Sequence, residues 1–264
     1  MTWRMNGTTS RRHLWKLATV AFVVGVIAFL PAHFFEGRIN SALPASWHLS
    51  VSGTVWNGYG VLQNGGTDMF AVPLIWKFDP VAVARARLAW RIVPDSRSLS
   101  GSIKVGTGWR SLEFREAALT MDAQIFQQLV PLLAVFAPSG TVIVSTPPDA
   151  GLTIDFGNDL RMNGQAQIQA DNFGLRPYGP QPLGNYLLKF TARDTNVDYE
   201  VGQSSGALKL EGGGSIQMAA PRQITYAGYV TAAPTLHEAL LAQVKAMGQP
   251  GADGRIRIDW EARW

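Results

Sequence analysis

The stretch WHLSVSGTVW, residues 47–56, decides the fold: it alternates, with Trp47, Leu49 and Val51 on one face. A hydrophobic period of two marks a half-buried strand. The same pattern recurs outward from it. Ile103 and Val105 alternate in SGSIKVG (100–106), TVIVST follows at 141–146, and LTIDF (152–156) sets Leu152, Ile154 and Phe156 on one side. MNGQAQIQA (162–170) points Ala166, Ile168 and Ala170 inward and its three Gln outward. GALKLEGGGSIQM (206–218), ITYAGYV (224–230) and RIRIDW (255–260) complete the series. Each run is short and bounded by Gly, Pro, Asn or Asp, which predicts antiparallel strands joined by tight turns. NGG (64–66) and FGNDL (156–160) read as hairpin turns.

Three helical patches interrupt the strands. Asp79–Arg87 opens with an Asp N-cap and Pro80 at the first helical position. Asp122–Phe136 sets Ile125, Leu129, Leu132 and Leu133 on one face, with Pro131 interrupting it. Pro234–Met247 places Leu236, Leu240, Leu241 and Val244 at helical spacing before Gly248. Strands leading to a helix occur twice, which leaves open a pseudo-duplication with halves 47–136 and 139–262.

Before the first strand, Leu17–Phe35 is apolar and carries no acid or strong base. Nineteen residues come close to spanning a hydrocarbon core, which predicts an uncleaved transmembrane anchor over 17–35. The alternative is a signal peptide, although no A-x-A cleavage site follows. Arg4, Arg11, Arg12 and Lys16 all precede the span, so the positive-inside rule makes residues 1–16 a cytoplasmic tail and sends 36–264 across the membrane. The predicted fold class is mainly β: a single N-terminal transmembrane helix, then an elongated antiparallel β domain with two or three short helices.

Composition excludes several functions. The 264 residues are 47% hydrophobic and 16% charged, with a mean hydropathy of +0.04, which rules out wholesale disorder. Only one run is long enough to span, so a multispan transporter is excluded. The net charge of +4 resides in residues 1–16, and the other 248 residues balance at 19 basic and 19 acidic side chains. A nucleic-acid partner, which would need a clustered basic patch, is not expected. There is no Cys, hence no disulfide, thiolate metal site or cysteine nucleophile.

No catalytic, cofactor-binding or metal-binding residues are predicted. The four His (His13, His33, His48, His237) show no metal-ligand spacing, and neither a nucleophile elbow nor a phosphate loop occurs. Asp149, Asp155, Asp159 and Asp171 suit turns and strand edges rather than a glycosidase dyad. EGGGS (211–215) lies inside an alternating strand and points to a bulge or a close backbone approach. Trp47, Trp56, Trp76, Trp90, Trp109, Trp260 and Trp264 fall in or beside strands, either as core side chains with their N–H bonded at the rim or as an aromatic docking groove.

A basic tail, a single span and then LPASWHLSVSGTVWNGYG (43–60) resemble the start of the type II secretion system protein N family. GTVWNG (53–58) fits that family's Gly-Thr-Val-Trp-x-Gly element. Trp76 to Pro80 (W-x-x-x-P), the Gly-rich strand around Gly206–Gly214 and the late DGR (253–255) follow in order. The resemblance implies a non-enzymatic inner-membrane accessory of the machine that moves folded exoproteins through an outer-membrane secretin. Its periplasmic β domain would contact the secretin or assembly platform, for instance through a sheet edge. An anchor followed by a long antiparallel sheet also resembles AsmA-like envelope proteins, whose curved sheets bind or transfer lipid. An uninterrupted apolar face without a lid would favour that alternative. An envelope hydrolase would need a convergent Ser/His/Asp or carboxylate cluster, and none is visible.

Overall fold

The computed structural model describes residues 7–43, 46–65, 70–84, 87–108, 110–125, 135–147, 149–156 and 160–263, with backbone alone for 7–14, 42 and 70. Fourteen strands form one antiparallel sheet. They are β1 (Trp47–Gly53), β2 (Asn57–Asn64), β3 (Phe70–Phe78), β4 (Leu88–Pro94), β5 (Leu99–Thr107), β6 (Ser111–Asp122), β7 (Pro138–Ser145), β8 (Leu152–Phe156), β9 (Leu160–Leu175), β10 (Gly184–Arg193), β11 (Asn196–Gly206), β12 (Leu208–Gln217), β13 (Gln223–Ala232) and β14 (Ile256–Arg263). Chain neighbours pair throughout, with one local exception. β7 and β8 share a lane: β7 pairs with Ala118–Asp122 of β6 and β8 with Ser111–Phe114, and both pair with the long β9. β1 and β14 are the two ends of the path, so the sheet is open rather than a closed barrel.

Directly paired residues share a face, and the registers carry one apolar face across the sheet. Leu49 lies opposite Leu62 and Leu62 opposite Val72; Trp76 opposite Ile92, and Ile92 opposite Ile103. Val105 faces Phe114, Met121 faces Val142, and Val144 faces Ile168. Ile168 pairs with Leu188, Leu188 with Val201, Leu210 with Val230, and Val230 with Ile256. The opposite face is polar. Lys77, Arg91, Lys104 and Arg115 follow one another across β3 to β6. The charges of Arg91, Lys104 and Arg115 are met by Asp79, Glu113 and Glu116, with Lys104 Nζ 2.6 Å from Glu116 Oε1. These solvated pairs contribute little stability individually.

One layer leaves much of the molecule uncovered. The accessible surface is 17,536 Å², against about 11,000 Å² expected for a compact chain of this mass. Buried side chains cluster where a helix lies on the apolar face. Helix α4 (Glu238–Met247) sets Leu240 and Val244 against Val230, Ile256, Ile258 and Leu183.

The helices differ from the sequence expectation in extent. Helix α1 runs Gly7–Ala28, so regular helix covers the first part of the 17–35 span. The chain then leaves the helix, because Pro31 sits at φ −71°, ψ 139° before a 3-10 turn (Ala32–Phe35) and helix α2 (Glu36–Ala42). Proline offers no N–H to continue the ladder and fixes its own φ. Among the described residues no helix is both long and apolar enough to cross a membrane. The patch at 79–87 yields one short helix, α3 (Pro80–Val83), with Val81 N–H donating to the Asp79 carboxylate at 3.1 Å as the capping pattern predicts. It stops early because strand pairing begins at Leu88. The patch at 234–247 is helical from Glu238, capped by His237. Residues 126–134, the centre of the patch at 122–136, lie outside the described residues, as do Gly66 of the turn at 64–66, residues 157–159 of the turn at 156–160, Arg4, Trp109 and Trp264. The side chains of Arg11, Arg12 and His13 do too.

Candidate functional site

The GTVWNG element forms the β1–β2 hairpin, and its physical role is to hold α1 to the sheet. Gly53 ends β1 at φ +90°, a conformation that L side chains rarely adopt. The turn closes on Thr54, whose N–H donates to Asn57 C=O at 2.9 Å and whose hydroxyl accepts from Asn57 N–H at 3.1 Å. Gly58 is required by proximity: a Cβ there would lie 2.6 Å from Ser52 C=O and closer still to the Trp76 ring.

Three indoles converge on this turn. Trp56 Nε1 donates to Ile27 C=O at 2.7 Å, Trp76 Nε1 to Thr54 C=O at 3.1 Å, and Trp90 Nε1 to Val55 C=O at 2.8 Å. Phe78 stands edge-on between Trp56 and Trp90, at ring separations of 4.7 and 5.8 Å. Ile27 belongs to the last turn of α1, where carbonyls lack intrahelical partners. The Trp56 indole supplies one. Leu30 C=O, just past the helix, accepts from Val55 N–H at 2.9 Å, and Pro31 bridges Thr54. The emerging chain is thereby bolted to the hairpin by backbone and side chain together.

The next segment seals the first sheet edge. Asn40 of α2 grips Leu49 of β1 at both backbone groups: its Nδ2 donates to Leu49 C=O at 3.0 Å and its Oδ1 accepts from Leu49 N–H at 2.7 Å. Glu36 Oε2 accepts from Val51 N–H at 3.5 Å. At the other end DGR forms the turn into β14. Arg255 binds Asp253 at 2.6 Å and Glu211 at 3.2 Å, and its guanidinium lies 5.1 Å from the Tyr229 ring centre. Hydrogen bonds from Arg255 hold the Asp253 carboxyl below its ordinary range.

Of the tryptophans singled out by sequence, three therefore meet at the hairpin. Trp47 opens β1 on the apolar face and Trp260 stands on β14, 49% exposed. The three junction indoles come from the β1–β2 turn, β3 and β4, and no spacing rule could bring them together; GTVW-x-G was the available signal. The polar candidates do not converge. His237 Nδ1 accepts from Ala239 N–H at 3.3 Å, His48 lies 3.8 Å from Glu36, and Asp171 accepts from Gln169. Among the described residues no group of His, Cys, Asp or Glu could hold a metal ion.

The fold defines a class: an open, one-layer amphipathic antiparallel sheet with a helix bolted to its first hairpin. The chain matches the family described as Type II secretion system (T2SS), protein N, over residues 46–259, and it belongs to that family. It is 23% identical over 274 aligned positions to "Type II secretion system protein N" of Aeromonas hydrophila, covering 94% of this chain and 98% of the relative. No solved structure matches. The family is one of type II secretion components, generally structural and non-enzymatic, that associate with other secretion subunits in the bacterial envelope.

Proposed function

We propose that this chain is an inner-membrane accessory of the type II secretion machine. Its α1 end anchors it, its N-terminus is cytoplasmic, and its sheet lies in the periplasm, where it contacts secretin or assembly-platform subunits during export of folded exoproteins. The anchor reading rests on solvent-facing carbon: Trp15, Phe22 and Phe29 are 75%, 72% and 78% exposed, and apolar side chains surround the helix rather than lining one stripe. Thr19 folds its hydroxyl onto Trp15 C=O at 2.9 Å, so the segment presents little unsatisfied polarity to a hydrocarbon medium. Membrane insertion would use the apolar run from Leu17 through Phe35, with Pro31 ending its regular helix inside the interface.

The observation that carries the contact is the contrast between the two sheet edges. Asn40 and Glu36 cover β1 and Pro31 meets the turn just past it at Thr54, whereas Pro250 reaches β14 only at Ile256. From Arg257 to Arg263, β14 has no second strand among the described residues. Such an edge can accept an added strand from a partner. Photo-crosslinkers at Asp259 and Glu261 in native envelopes test this, with Ser50 on β1 as the control. Adducts to secretin or platform subunits from β14 and not from Ser50 are expected. Equal yields from both edges, or no secretion subunit among the adducts, would overturn it.

A further inference from the structure

We infer that β14 pairs with a strand carrying acid, base, base and acid at alternate positions with apolar residues between them, and that this strand belongs to another protein rather than to a second copy of the chain. This pairing rests on the open-edge reading above and adds the chemistry of the occupant. The open stretch, Arg257–Arg263, presents Arg257, Asp259, Glu261 and Arg263 on its polar face, a row that reads plus, minus, minus, plus. The row fills that whole stretch, since Pro250 already bridges the position before it, Ile256.

The inner neighbour does not answer these charges. Across the ladder they lie opposite Tyr229, Ala227, Thr225 and Gln223 of β13, none of them Asp, Glu, Lys or Arg. Among the described residues their ion pairs run along the strand itself, Arg257 to Asp259 at 2.9 Å and Arg263 to Glu261 at 2.6 Å. Deeper in the sheet charge is met across strands: Lys189 is directly opposite Glu200, with Nζ 3.6 Å from Oε1, and Lys104 of β5 reaches Glu116 of β6. Opposite charges facing each other across a ladder stabilise it, and like charges destabilise it. The open side of β14 is where its row can gain such partners.

The row is a palindrome, so a partner meets the same order of charges whether it runs parallel or antiparallel. The same symmetry works against self-pairing. Two copies fully overlapped and antiparallel set Arg257 against Arg263 of the second copy and Asp259 against its Glu261; parallel and in register, every charge meets its own kind. Sliding antiparallel copies by two residues either way shortens the pairing to positions 257–261 or 259–263 and still sets Asp259 or Glu261 against itself. A strand of the opposite order meets opposite charge at all four positions. On the other face Ile258, Trp260 and Ala262 call for apolar side chains, and Trp260, 49% exposed at the middle of the stretch, is the kind of aromatic anchor on which interface energy concentrates.

The chain itself supplies the probe. Arg257→Glu, Asp259→Lys, Glu261→Lys and Arg263→Glu together invert the row while keeping its along-strand pairs and its zero net charge. The full-length parent, carrying a photo-reactive residue at Ala262, is mixed in detergent with this inverted variant and the adducts are mapped. Full antiparallel overlap sets position 262 against Ile258, so adducts at Ile258 of the inverted variant should exceed those at Ile258 of a second parent copy by about tenfold, which corresponds to about 1.4 kcal/mol. Equal adducts with both, or none with the inverted variant, overturn the inference. Denaturant titration checks that the variant folds. A milder pair, Glu261→Lys with Arg263→Glu, makes the row plus, minus, plus, minus, which complements itself when antiparallel, and should raise self-adducts over the parent by the same factor; unchanged self-adducts count against the charge rule. In native envelopes the same photo-reactive residue reports the natural occupant, whose adducted segment should show the acid, base, base, acid order. A segment without that order, or a second copy of the chain, overturns the inference and keeps the open edge. No adduct from any β14 position sinks the contact proposed for this edge and the inference with it.

Discussion

The two ends of the sheet are built from similar strands and finished in opposite ways. β1 is followed outward by a helix whose Asn40 imitates a neighbouring strand, taking and giving a hydrogen bond at Leu49. β14 is finished by charge: Arg257 pairs with Asp259 at 2.9 Å and Arg263 with Glu261 at 2.6 Å, all on the polar face. Capping by backbone mimicry occupies an edge's own N–H and C=O groups, while charged side chains discourage indiscriminate pairing and leave those groups unoccupied. The first end therefore holds the N-terminal helix, and the second, among the described residues, carries no further strand.

The hairpin beneath the capped edge should be the most sensitive point. Gly58→Ala forces a methyl against Ser52 C=O and the Trp76 ring, and neither can retreat without opening β1–β2 or the indole cluster. A loss of about 3 kcal/mol in unfolding free energy is expected, read by denaturant titration of the detergent-solubilised chain. A cost under about 1 kcal/mol would mean that Trp76 is free to swing aside.

Asn40→Ala tests the mimicry itself. It leaves the half-buried Leu49 N–H and C=O without their partner, which should cost about 1–2 kcal/mol. Amide exchange at Leu49 should accelerate while Leu62, inside the sheet, stays protected. Unchanged exchange at Leu49 would show that the edge is covered by something other than Asn40.

Trp56→Phe keeps a ring against Phe78 and deletes the hydrogen bond to Ile27 C=O. About 1 kcal/mol is expected, and tryptic cleavage at Arg38 should quicken as the helix loosens from the hairpin. If the cleavage rate holds, the backbone pair Val55–Leu30 carries the junction without the indole.

The contrast between the edges also marks what the sequence could disclose. Period-two runs at 47–56, 100–106 and 162–170 become β1, β5 and β9, because alternation is a local property of the chain. Asp79 and Pro80 likewise announced a helix start, although its length was decided by the pairing of Leu88 with Thr107. The open sheet was not legible, since closure depends on whether β1 and β14 meet, and no local pattern encodes that. Nor was the Trp56–Trp76–Trp90 cluster, assembled from three segments, or the role of Asn40, a polar residue in a short helix whose partner is nine positions away.

The smallest effect belongs to the open edge. Asp259 is half-exposed and pairs with Arg257 two residues away, so Asp259→Lys removes a solvated ion pair and buries nothing. Stability should stay within about 0.5 kcal/mol of the parent. Yet the substitution takes the row Arg257, Asp259, Glu261 and Arg263 from neutral to a net charge of +2, changing the charge that an added strand would meet. If β14 receives a partner strand, crosslinking from Glu261 should fall while the fold is untouched. A change in stability without a change in crosslinking would give Asp259 an internal duty, and the difference between the two edges would then be one of degree, with both ends serving the sheet rather than a partner.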